Sequence, residues 1–168
     1  VVAGPLLLIC MILIRRDSPG PALFRQVRVG RNEVPFVLLK LRTMFSDTRE
    51  CPSHEVSVSA VTPLGRKLRT WKIDELPQLW NVVKGDMSLV GPRPERPHFV
   101  TQFRDQIPRY MARHKIKSGI TGWAQIHGLR GNTSLEERIK YDLYYMENWT
   151  LMMDIEILLA TIVSFKNA

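Results

Sequence analysis

The sequence predicts an α/β domain, mostly helical, with one small β-hairpin. Three observations carry this. In "LFRQVRVGRNEVPFVLLKLRTM", two stretches rich in β-branched and aromatic residues flank Gly30-Arg31-Asn32, which is hairpin patterning. Apolar residues recur at helical spacing downstream, at Leu76, Leu79, Trp80 and Val83, and again at Leu135, Ile139, Leu143 and Met146. The 168 residues, 45% hydrophobic and 24% charged, suffice for one domain with its own core.

The chain opens with "VVAGPLLLICMILIRR", apolar from Val1 to Ile14 and closed by Arg15 and Arg16. It lacks the basic lead and the small-residue cleavage site of a signal peptide. It is also shorter than the roughly 20 residues of a spanning helix. The abrupt start predicts the remainder of a longer membrane segment. Two conformations are open on these residues. A helix broken at Gly4-Pro5 could enter one leaflet and turn back, with Arg15 and Arg16 at the headgroups. A buried core helix could instead have Pro5 near its start.

"DSPGPA" (17–22) is a turn cluster. The hairpin carries Arg25, Arg28, Arg31, Lys40 and Arg42, for which a solvated face is the ordinary explanation. Residues 46–61 are polar and aperiodic, predicting a loop with room for a short helix. "LGRKLRTWK" is helical and basic. Asp74 then opens a helix: aspartate is a favoured N-cap, Glu75 suits the first turn, and Pro77 is tolerated there. "KGDMSLVGPRP" breaks it. Pro97 starts a helix through Phe103. "SGITGWAQIHGLRGN", with four glycines, is loop or short strand. Thr133 and Glu136 have capping-box spacing at the head of the clearest helix, where a Glu136–Lys140 pair adds roughly 0.3 kcal/mol. The last element, "LMMDIEILLATIVSFK", is apolar around most of its circumference except Asp154, Thr161 and Ser164. It is either packed in the core or lying along a membrane.

The net charge of +8 points to a polyanionic partner: nucleic acid, anionic lipid or a phosphorylated substrate. The aromatics fall on apolar faces rather than among the basic residues, which argues against nucleic acid. Two cysteines, Cys10 and Cys51, make neither a disulfide framework nor a zinc site and fit a reducing compartment. His98, His114 and His127 lack metal-ligand spacing and are taken as structural or surface residues. No Walker A, GxGxxG or GxSxG motif occurs.

The candidate chemistry centres on "KIDELPQLWNVVKGDMSLVGPRPE". A helix N-terminus attracts phosphates. A carboxylate placed there stays ionised and can act as a nucleophile, while its neighbour can hold Mg²⁺ together with substrate phosphate oxygens. An anionic target needs cations to offset repulsion. The candidates are Arg69, Arg93 between two prolines, Arg130 between glycines, and Lys40 on the hairpin. The plain alternative is an ordinary helix start followed by a turn.

Three motifs in order, "LFRQVRVGRNEVPFVLLKLRTM", "IDELPQLWNVVKGDMSLVGPRPE" and "KSGITGWAQIHGLRGNTS", resemble the bacterial sugar transferases, the polyprenyl-phosphate phosphoglycosyl transferases. The stretch from "GPRPERPHF" to "YDLYYMENWTL" looks most like members that transfer glucose or galactose phosphate. The resemblance implies transfer of a sugar 1-phosphate from a UDP-sugar to undecaprenyl phosphate with release of UMP, as the priming step of exopolysaccharide or O-antigen synthesis. It implies Asp74 as nucleophile, Glu75 as an aid to Mg²⁺ binding, and Arg69, Arg93 and Arg130 as phosphate or nucleotide contacts. It further implies a monotopic α/β catalytic domain over residues 17–168, with residues 1–16 as the second half of a re-entrant helix broken at Gly4-Pro5. Such a protein would sit on the cytoplasmic face of the bacterial inner membrane, among anionic lipids; oligomerisation stays open. The first half of the re-entrant helix is absent here. Ser118 stands where the family often has proline, and His127 where it often has asparagine. The alternative from another class is a non-catalytic basic module that binds the membrane surface.

Overall fold

The computed structural model describes residues 3–48, 58–131 and 133–164. The opening apolar run forms helix α1 (Ala3–Asp17), with Gly4 and Pro5 in its first turn, where proline's missing N–H breaks no helical bond. Only one face of α1 packs. Cys10 and Ile14 are buried against Ala22, Leu41 and Leu68, while Leu6, Leu8, Ile9, Ile12 and Leu13 are exposed. The buried-core alternative therefore holds for one face of this run and for the place of Pro5 near its start, and fails for the other face. No helix among the described residues is long and apolar enough to cross a membrane.

Strands β1 (Leu23–Val29) and β2 (Pro35–Leu41) form the antiparallel hairpin, in register from Leu23↔Leu41 to Val29↔Pro35. Its turn is a 3-10 turn with Asn32 and Glu33 at positive φ, closed by Gly30 N–H donating to Val34 O at 2.9 Å. The basic residues of the hairpin divide. Arg25 and Arg31 are exposed, but Arg28 and Lys40 are half-buried and Arg42 is buried. The solvated-face expectation thus holds for two and fails for three. Arg42 caps α1: its guanidinium donates to Ser18 O at 2.7 Å, Pro19 O at 2.5 Å and Ile14 O at 3.3 Å. Ser18 O and Pro19 O lie just past the helix end and Ile14 O, in its last turn, also accepts from Ser18 N–H at 3.2 Å; a cation suits that end of the dipole.

Of the polar stretch 46–61, residues 49–57, Cys51 included, lie outside the described residues; Val58–Ala60 is a 3-10 turn. Helix α2 (Pro63–Thr70) is capped by Thr62 Oγ1, which accepts from Gly65 N–H at 2.9 Å. Gly65 lies against the backbone of Thr43, where a Cβ would come within 2.1 Å of Thr43 O. That approach seats α2 on the end of β2. A 3-10 turn (Ile73–Glu75) leads to α3 (Gln78–Lys84), which ends at Gly85 in the left-handed conformation, φ 86.

Beyond it, β3 (Ser88–Val90) pairs in parallel with β4 (Gly119–Thr121), a sheet of three-residue strands that no periodicity reveals. Between them run α4 (Pro97–Arg104), with Pro97 in its first turn, and a 3-10 segment (Tyr110–Lys115). The glycine-rich stretch supplies β4 and the short α5 (Trp123–Ile126). Helix α6 (Leu135–Glu147) is capped one residue later than its spacing predicted: Ser134 Oγ, not Thr133, accepts from Glu137 N–H at 3.3 Å. Its Ile139, Leu135 and Leu143 join Val29, Val100 and Tyr110 in one core cluster, while Met146 packs in another. Helix α7 (Leu151–Ser164) buries Met153 and Ile157 against Val90 and Tyr145 and leaves Leu151, Met152, Ile155, Leu159, Ile162 and Val163 exposed. It combines a packed face with a bare apolar one.

Candidate active site

Asp74 and Glu75 share the 3-10 turn after α2. The turn is entered through Lys72, whose φ of 54 is unusual for a residue with a Cβ. The predicted helix N-cap at Asp74 does not form. Helix α3 starts only at Gln78, and the carboxylate caps no backbone N–H. Instead Asp74 is 7% exposed, and its Oδ1 is sealed from solvent without a hydrogen-bond partner. The helix terminus expected to keep Asp74 ionised is absent, and burial instead works against its charged form.

The two carboxyls have opposite environments. Burial pushes the Asp74 carboxyl above its ordinary value, against the pull of Lys40, Arg69 and Lys72. Burial also works on Glu75, but Arg93 and Lys40 outweigh it and hold Glu75 well below the carboxylate range. Lys40 Nζ donates to Glu75 Oε1 at 2.7 Å and Arg93 Nη2 donates to the same oxygen at 2.8 Å, so both hydrogen bonds fall on Oε1. Adjacent titratable groups pushed apart in this way are a recurrent sign of divided chemical roles.

The predicted cations converge on this turn. Arg69 donates through Nε to Thr43 Oγ1 at 2.8 Å and bears electrostatically on Asp74. Arg93 ties to Glu75. Arg130 is half-buried near Arg93 and Glu75; burial first, and then the like charge of Arg93, lower its pKa. Lys40 is likewise lowered by burial and by Arg93, with Glu75 opposing. A pocket of about 90 Å³ opens beside the turn, between Lys72, Glu75 and Arg130 on its polar side and Leu76, Leu79 and Ile120 on its apolar side. It is far below the ~300 Å³ of an ordinary ligand pocket, so it suits a phosphate group, with the rest of a larger ligand across open surface. Asp74 does not line it; Lys72 and Glu75 on either side do. Leu76 and Leu79 also border a mostly apolar groove of about 520 Å³ between α1 and α3, lined further by Leu7, Met11, Trp80 and Val83.

Sequence reasoning missed Lys72, Thr43 and Gln125, whose Oε1 lies 3.5 Å from Arg93 Nη1. Of these only Lys72 had a signal, its place beside the acidic pair. His98 and His127 are exposed and His114 is buried. Among the described residues no cluster of three or more His, Cys, Asp or Glu exists. A hard cation such as Mg²⁺ needs only one or two carboxylates when substrate phosphates and water complete its shell, and Glu75 Oε2 fits that donor set.

The bacterial sugar transferase family model matches residues 1–167. The chain belongs to the bacterial sugar transferase family. It is 46% identical over 167 residues to a UDP-glucose:undecaprenyl-phosphate glucose-1-phosphate transferase of Caulobacter vibrioides, covering 96% of this chain and 62% of that protein. It is 43% identical over 163 residues to a UDP-N-acetylgalactosamine-undecaprenyl-phosphate N-acetylgalactosaminephosphotransferase of Aeromonas hydrophila, covering 95% of this chain and 38% of that protein. An exopolysaccharide production protein of Rhizobium leguminosarum bv. phaseoli is 39% identical over 177 residues, covering 98% and 87%. The family members named here thus differ in donor sugar, and the chain spans under two thirds of the first two.

Proposed function

We propose that this family member transfers a sugar 1-phosphate from a UDP-sugar to undecaprenyl phosphate through a covalent aspartyl intermediate. The observation that carries the reading is the adjacent pair with opposed environments: Asp74, buried with one oxygen unpaired, and Glu75, neutralised by Lys40 and Arg93. Desolvation strips the Asp74 carboxylate of competing water hydrogen bonds. Rotation about its χ2, a broad two-fold torsion, exchanges the sealed Oδ1 with Oδ2.

In the first half-reaction an Asp74 oxygen attacks the phosphorus that bears the sugar. A new P–O bond forms to the carboxylate, and the bridging P–O bond breaks with its electron pair leaving on UMP. In the second, a phosphate oxygen of the polyprenyl acceptor attacks the same phosphorus and Asp74 leaves as carboxylate. Arg93, Arg130, Lys40 and Arg69 offset the negative charge that gathers at phosphorus. Glu75, through Oε2, would hold Mg²⁺, which supplies further charge neutralisation on the phosphates. The apolar rows of α1 and α7 and the groove between α1 and α3 support approach of a lipid acceptor from a membrane surface.

The test is UMP release from UDP-sugars by the full-length protein with Mg²⁺ and undecaprenyl phosphate. Asp74→Asn is expected to abolish it. Near-native turnover by that variant would remove Asp74 from the chemistry. Vesicle binding with no UMP release from any UDP-sugar would favour a non-catalytic membrane module.

A further inference from the structure

Four consecutive carbonyls, from Pro92 to Glu95, are each taken by a different donor. Pro92 O accepts from Gly119 N–H at 2.9 Å, Arg93 O from Arg113 Nη2 at 2.9 Å, Pro94 O from Arg28 Nη1 at 3.1 Å, and Glu95 O from Val29 N–H at 2.9 Å. The segment that presents Arg93 is therefore braced at every residue. Arg113 is itself seated by Asp142 of α6, whose Oδ2 accepts from Nε at 3.0 Å and Nη2 at 2.7 Å. Both side chains are sealed, at 1% and 3% exposure. One helical turn earlier on α6, Arg138 donates through Nη1 to Glu95 Oε1 at 3.2 Å and through Nη2 to Gly131 O at 2.8 Å. A single guanidinium thus joins the segment carrying Arg93 to the loop carrying Arg130.

Buried ion pairs are poor sources of stability, because desolvation consumes most of the Coulombic gain. These two are not optimised for it: Arg113 Nη1 and Arg138 Nε are buried without partners. What a guanidinium fork supplies and an apolar side chain does not is direction, through two hydrogen bonds at fixed angles. We infer that α6 is the positioning frame of the site. Arg113, seated by Asp142, sets Arg93, and Arg138 sets the Arg93 segment and the Arg130 loop together. The inference rests on the proposed transferase reading. All three are positioning residues, acting through Arg93 and Arg130 without touching substrate.

The test is a double-mutant cycle in the full-length protein, read as kcat/KM for UMP release alongside thermal midpoint. Arg113→Lys keeps the charge at Asp142 but not the fork. It is expected to cost about tenfold or more in kcat/KM. In an Arg93→Ala background the same change should cost less than about twofold, because the residue it positions is gone. Its effect on the thermal midpoint should be the same in both backgrounds. Arg138→Lys should retain part of its penalty in the Arg93→Ala background, because it also holds the Arg130 loop. A penalty for Arg113→Lys that persists in full without Arg93 would make the pair merely structural and overturn the inference; so would failure of Arg113→Lys to fold. If the parent protein releases no UMP at all, it is the transferase reading that falls, whereas UMP release with no coupling sinks the positioning role alone.

Discussion

At the scale of single residues, the chemistry turns on what burial does to neighbours. Asp74 and Glu75 are adjacent and of one type, yet one is isolated and the other doubly paired. Arg93→Ala removes a cation from Glu75 and, in the proposed reaction, from the substrate phosphates, so kcat/KM should fall by the equivalent of ~1.5–3 kcal/mol for a lost charged hydrogen bond; an unchanged value would take Arg93 out of the site. His114 reports on the same principle away from the chemistry. Burial, and then Arg113, lower its pKa from 6.5 to about 4. The folded state therefore favours the neutral ring, and the unfolded chain takes the proton first. Stability from this group is complete above pH 6.5 and drains as pH falls towards 4. Urea midpoints measured across that window should decline less steeply in His114→Gln than in the parent; equal slopes would show that His114 does not titrate in this way. Residue identity alone did not disclose these environments. Arg113 and His114 sit in "RYMARHKIK", a basic stretch with no mark of burial, and only tertiary packing buries them.

At the scale of elements, local rules worked where a pattern was long enough to express them. The hairpin, the proline-led α4 and the apolar face of α6 were legible because alternation, a φ-fixing proline and 3.6-residue spacing act within a few residues. The start of α3 and the cap of α6 were misplaced by one to four residues. Competing acceptors were equally plausible there, and the left-handed Lys72 split the turn from the helix. The β3–β4 pair was illegible, since three-residue strands carry no period and their pairing spans about thirty residues of chain. The exposed row of α7 carries a prediction at this scale. Replacing Ile155, Leu159 and Ile162 with serine should weaken binding to vesicles of anionic phospholipid several-fold, at ~25 cal/mol per Å² of apolar area withheld from lipid. Because these side chains face outward, the thermal midpoint in detergent should hardly move. Undiminished vesicle binding would show that α7 is not a membrane-facing element.

For the whole molecule, the +8 charge has a use beyond general attraction to anions. Part of it is spread on exposed residues such as Arg25 and Arg31, and part turns inward. Lys40, Arg93 and Arg130 gather at the acidic turn, while Arg28, Arg42, Arg113 and Arg138 brace backbone carbonyls. The sequence announced the first group through motif order, and family membership now stands on a match across nearly the whole chain. The bracing group was hidden, because a guanidinium that holds a carbonyl looks the same in sequence as one that faces solvent. The proposed reaction requires that Asp74 become covalently bonded to the phosphosugar. It is tested most directly by incubating the full-length protein with a UDP-sugar and Mg²⁺ in the absence of acceptor, then measuring intact and peptide mass. The expected result is UMP release matched by a sugar-phosphate adduct on the peptide containing Asp74, discharged by undecaprenyl phosphate and absent from Asp74→Asn. Sugar-phosphate transfer that persists in Asp74→Asn, or an adduct on another residue, would contradict it.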